Sequence, residues 1–84
     1  MHFAAGSENI AMVQLLLERN ADISAVDEWG WTPLHTASSA GHDKVVSILL
    51  KNGADKEARD VYDWLPVHLA AAAVHDPVVR ILTN

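Results

Sequence analysis

Five histidines in a chain of 84 residues are the first candidates for chemistry, because neutral imidazole is the commonest side-chain metal ligand. Their spacing argues against a metal. His35 and His42 are seven residues apart, with a glycine between them, whereas a helical zinc pair needs one turn, i and i+4, on one face. Ser38 and Ser39 follow His35, and Asp27 precedes it, so the residue types of a hydrolytic triad are present. No Gly-x-Ser-x-Gly segment sets either serine on a sharp exposed turn where a base could reach it. The glycines stand singly, so there is no loop to cradle a phosphate. The pattern therefore gives no catalytic residue, no metal ligand set and no cofactor site.

Composition narrows the field in the same direction. A formal charge of -5 disfavours nucleic acid, whose backbone is bound by clustered Lys and Arg. The longest apolar stretch, Leu65 to Val74, is interrupted by His68 and is far short of the roughly 20 residues that cross a bilayer. Membrane spanning is not expected. Met1 leads into His2, Phe3 and Ala4 without a basic region or long apolar run, so no signal peptide is indicated. The absence of cysteine excludes a disulfide framework and fits an intracellular protein, cytoplasmic or nuclear. The length fits a single domain, 1–84, and stacking of regular units must supply what so small a core cannot.

Three of the five histidines, His2, His35 and His68, are 33 residues apart, and other residues keep the same step. Ala4, Ala37 and Ala70 align, as do Val13, Val46 and Val79, then Leu15, Ile48 and Ile81, then Leu16, Leu49 and Leu82. Asp27 repeats as Asp60, and His42 as His75. A fixed period of this size marks a repeat architecture. Within it the chain reads helix, turn, helix, loop. Thr32 offers a capping hydroxyl, and Pro33 sits at a first-turn position where its missing N–H costs nothing. Gly41 ends that helix. Asp43 is expected to cap the next one, which runs through Val45, Val46, Ile48, Leu49 and Leu50 to Gly53. Asp76 and Pro77 form the corresponding cap and first-turn pair for Val78 to Leu82. Such short helices are unstable alone, so each layer must be held by its neighbours.

The run Asp27-Glu28-Trp29-Gly30-Trp31-Thr32-Pro33-Leu34-His35, with Gly41-His42 and Gly53-Ala54-Asp55 behind it, closely resembles the ankyrin repeat. The resemblance covers nearly the whole chain: a partial repeat over 2–26, a full one over 27–59 and a partial one over 60–84. It implies an all-α solenoid of stacked helix-turn-helix units with β-turn or hairpin fingers, and a histidine in Thr-Pro-Leu-His that braces its own turn and helix start. Departures gather in the third repeat. Asp63 replaces the turn glycine, Leu65 the capping threonine and Val74 the helix-ending glycine. A β-branched residue is strained in a left-handed conformation, so Val74 is expected to sit in a different turn geometry. In the first repeat Glu8 and Asn20 replace glycines.

Ankyrin-like proteins recognise partners with their finger tips and the exposed side of each first helix. By position, the tips here hold Val26, Glu28, Trp29 and Trp31, then Arg59, Val61, Tyr62 and Trp64; the helix faces hold Phe3, Thr36, Ser39, Leu69 and Ala72. All three tryptophans and the single tyrosine fall on tips, and these residues dominate binding hot spots. Trp31 and Trp64 could instead stiffen the stack by packing on adjacent turns. Glu28, Asp60 and Asp63 surround the aromatic cluster, implying a partner protein with an apolar patch edged by Lys or Arg. Two other readings fit the same residues: a fragment that self-associates through uncapped ends, and an engineered ankyrin-type binder.

Overall fold

The computed structural model describes residues 5–7 and 9–84. Among the described residues five bounded helices follow in order: α1 (Ile10–Glu18), α2 (Pro33–Ala40), α3 (Asp43–Lys51), α4 (Pro66–Ala72) and α5 (Asp76–Thr83). No strand occurs among the described residues, and the fingers are tight turns. Ala5 and Gly6 are helical and lie ahead of α1. The front row is formed by α2 packed on α4; the back row by α1 on α3 and α3 on α5, with α2–α3 and α4–α5 joining the rows.

The core is the set of apolar positions that the 33-residue step repeats. Leu34 and Ala37 of α2, Val45, Val46 and Leu49 of α3, Ala70 of α4, and Val78 and Leu82 of α5 are buried, with Val13 of α1 and Ala5. Thr32 caps α2: its Oγ1 accepts the His35 N–H at 3.3 Å, and His35 Nδ1 accepts the Thr32 N–H at 3.2 Å. Pro33 follows at the first helical position. Gly41 ends the helix at φ 78°, left-handed as its lack of a side chain permits.

Two expectations about helix ends need correction. Asp43 and Asp76 are not caps but the first helical residues of α3 and α5, and His42 and His75 occupy the capping positions. The reason lies in the histidine rings. His42 Nε2 donates to the Gly6 carbonyl at 2.9 Å, and His75 Nε2 to the Ser39 carbonyl at 3.0 Å. Each ring is thus committed to the layer before it, while its own carbonyl accepts the first bonds of the helix it starts. The aspartates still place negative charge in the first turn, where the helix dipole favours it.

Val74 is the third correction. It does not escape the left-handed region but adopts it, at φ 61°. The His75 N–H reaches the Ala70 carbonyl at 2.8 Å, as the His42 N–H reaches that of Ala37 at 3.0 Å. The loop is fixed by these bonds and by the His75 ring on Ser39, so the strain of a β-branched residue is accepted locally. Asn20 at φ 63° and Asp63 at φ 69° take left-handed conformations too, with side chains that tolerate them better. Glu8 lies outside the described residues.

Candidate functional site

Each finger is organised by the aspartate that opens it. Asp27 Oδ1 accepts the backbone N–H groups of Trp29 and Trp31, both at 2.9 Å. Asp60 Oδ1 does the same for Tyr62 at 2.8 Å and Trp64 at 2.9 Å. The loops close through the Asp27 N–H on the Trp31 carbonyl, 3.0 Å, and the Asp60 N–H on that of Trp64, 3.1 Å. A short carboxylate acceptor reaching two and four residues ahead fixes the aromatic positions without any sheet.

The fingers are also fastened to each other. The Val61 N–H donates to the Trp29 carbonyl at 3.0 Å, and the Trp31 indole Nε1–H donates to Asp60 Oδ2 at 3.0 Å. Gly30, at φ 76°, lies where a Cβ would stand 3.0 Å from the Val61 nitrogen, so the finger contact itself leaves little room for a side chain. The Trp31 ring stacks on His35, with centroids 6.3 Å apart and planes 19° from parallel. Partial burial pushes the Asp60 carboxyl up, but the bonds from Trp64, Tyr62 and Trp31 outweigh it and hold the group below its ordinary value. It stays ionised at neutral pH.

His35 completes the frame. It is fully buried, its Nδ1 accepts from Thr32, and its Nε2 donates to the Trp64 carbonyl at 2.9 Å. Both ring nitrogens are therefore engaged in holding the second finger on the middle layer, and neither is aimed at a serine. Ser38 Oγ is buried without a hydrogen-bond partner. No group of three or more His, Cys, Asp or Glu among the described residues could hold a metal ion. No helix among them is long and apolar enough to cross a membrane.

Between the fingers and the front helices lies an open groove of about 880 Å³. Trp29, Trp31, Tyr62 and Trp64 line it from the fingers, Thr36 and Leu69 from α2 and α4, and Gly6 and Ser7 from the edge. Trp29 is 53% exposed, Tyr62 70% and Trp64 42%, so three large aromatic side chains face solvent on one concave side. Six residues expected from the sequence thus meet in one place. Val26, Glu28, Ser39, Arg59, Val61 and Ala72 do not line the groove. Val26 and Val61 stand exposed beside it, and the Arg59 guanidinium is turned onto the Asp63 carbonyl at 3.2 Å. The Ser39 carbonyl is occupied by His75. Phe3 lies outside the described residues.

The groove also holds Asp27, which the sequence offered as a turn residue, and Asp60, expected around the aromatic cluster but not among the contact residues. The recurrence of Asp27 as Asp60 at 33 residues was the signal available for Asp27, and it pointed to loop structure rather than to the groove wall. Glu28 and Asp63, expected with Asp60 around the aromatic cluster, do not reach the groove. Trp31 is both a brace and a wall. Trp64, at the equivalent position, is more exposed.

Relatives are similar in sequence over part of the chain. A stretch of 42 residues, 50% of this chain, is 50% identical to protein phosphatase 1 regulatory subunit 27 of Mus musculus and covers 27% of that protein. A stretch of 43 residues, 51% of the chain, is 46% identical to potassium channel AKT1 of Arabidopsis thaliana, covering 5% of the channel. A third, 34 residues and 39% of the chain, is 56% identical to the 2-5A-dependent ribonuclease of Mus musculus, again 5% of its length. The matched part is therefore about a quarter or less of each relative. The family model for ankyrin repeats in three copies matches residues 1–84, and with the helix pairs and fingers described above, the chain belongs to the ankyrin-repeat family.

Proposed function

We propose that the chain is a non-enzymatic module that binds a partner protein in the groove between its fingers and front helices. Ankyrin repeats are generally protein-interaction modules, and the observation that carries the reading to this site is the gathering of Trp29, Trp31, Tyr62 and Trp64 on one concave face. Such side chains bury large areas at low entropy cost and keep a polar group for hydrogen bonding. The proposed unit is a single domain of three layers, 2–26, 27–59 and 60–84. The partner is a protein presenting apolar surface with basic residues.

The test is capture with the folded chain beside a Trp29→Ala, Tyr62→Ala double variant. Both positions are more than half exposed, so the variant should keep its helix content. A specific partner retained by the parent and lost by the variant supports the reading; equal retention refutes the site.

A second reading rests on the far face of the stack. His68 and Ala71 are exposed where His35 and Ser38, one step earlier, are buried, and Val74 is 74% exposed. Self-association through that face would appear as an increase in mass by light scattering over a hundredfold rise in concentration.

A further inference from the structure

The groove combines four aromatic rings with two carboxylates, and among the described residues its wall contains no Lys, Arg or His. The carboxylates cannot turn away. Asp27 Oδ1 and Asp60 Oδ1 are each tied to two backbone N–H groups of their own finger. Asp60 Oδ2 receives only the neutral indole of Trp31, and Asp27 Oδ2 has no hydrogen-bond partner among the described residues. An occupant made only of apolar side chains would cover two carboxylates and offer nothing in exchange for their lost water. A cationic side chain answers both features of the wall: its aliphatic stem lies against the rings, and its head meets the aromatic faces and the carboxylates.

We infer that the partner enters the groove with a Lys or Arg side chain at its centre, flanked by apolar residues, in place of an apolar patch with basic residues only at the edge. The inference rests on the groove being the binding site proposed above. Charge complementarity decides it: the chain carries a formal charge of -5, and the acidic groups inside the groove are the two whose geometry is fixed by the fingers. Leu69 and Thr36 at the groove floor offer apolar contact to the flanking residues.

The experiment is selection from a phage-displayed random peptide library on the folded chain, followed by affinity measurement on synthetic copies of the selected peptides. Recovered binders should share a Lys or Arg at one position beside apolar residues. Replacing that residue by norleucine, which keeps the stem and removes the charge, should weaken binding about tenfold or more. The Trp29→Ala, Tyr62→Ala variant should also lose the peptides. Peptides that lack a basic residue, or tolerate norleucine, yet are lost by the variant would overturn the inference and leave the groove as a binding site. Binders indifferent to the aromatic substitutions would overturn both, and a library yielding no binder would count against the inference.

Discussion

Replacing His35 by Ala should cost several times what the same replacement costs at His68, although both occupy the same place in a Pro-x-His segment one repeat apart. At His35 the ring is fully buried and bonds Thr32 through Nδ1 and the Trp64 carbonyl through Nε2. Its removal leaves the Thr32 N–H without its partner, worth about 1–3 kcal/mol when water cannot replace it, and takes from the Trp64 carbonyl one of its two donors, the Asp60 N–H remaining, for about 1 kcal/mol more. The space left behind adds to the loss, while alanine's better helix propensity returns roughly 0.5 kcal/mol. The net is about 3–5 kcal/mol. At His68 the ring is exposed and bonds only the Leu65 N–H, at 3.1 Å, so about 1 kcal/mol or less is expected. A chain this size has a total stability on the order of 4–13 kcal/mol, so His35→Ala should be close to unfolding and His68→Ala nearly normal. Urea titrations followed by far-ultraviolet circular dichroism read both. Equal midpoint shifts would refute the argument that His35 fastens one layer to the next.

Three further outcomes follow from the backbone and from Asp60. Val74→Gly should raise stability by about 1 kcal/mol, since glycine relieves the left-handed strain and the exposed valine has little packing to lose; the thermal midpoint reads it. Gly41→Ala should be clearly worse than Gly53→Ala in the same titration. A Cβ at Gly41 would meet the His75 ring at 2.6 Å, while at Gly53 it meets nothing within 4 Å, so only the conformational cost of roughly 1 kcal/mol applies there. Asp60 has a folded pKa below its ordinary value, so it binds fewer protons folded than unfolded, and its stabilisation is complete above about pH 4–5. That contribution is lost as the pH falls through the lower folded value. Asp60→Asn should therefore destabilise the chain at neutral pH, with the gap from the parent closing in melts taken down to pH 3.

The repeat step carried most of the fold because it placed like residues in like surroundings. Thr32, Pro33, Gly41 and the buried valines and leucines act through local geometry and periodic burial, which a single chain displays directly. The helix starts at His42 and His75 were not legible, because the competition between an aspartate cap and a histidine is decided by the carbonyls of Gly6 and Ser39 in the preceding layer. Val74 kept a strained backbone for the same reason: contacts distant in sequence overruled its local preference. In the candidate site, the aromatics announced themselves by type and Asp60 by its place among them, whereas Asp27 read as a turn residue until the fingers were seen side by side. Trp31 had two readings open, and its bond to Asp60 together with its place in the groove wall shows that brace and surface are one side chain.

The most direct test of the groove as the binding site is nuclear magnetic resonance mapping of the labelled chain with its captured partner or a selected peptide. The account predicts that the largest shifts fall on the indole N–H groups of Trp29, Trp31 and Trp64 and on the amides of Thr36, Tyr62 and Leu69. Shifts confined to His68, Ala71 and Val74, with the indoles unmoved, would contradict it and assign binding to the end of the stack.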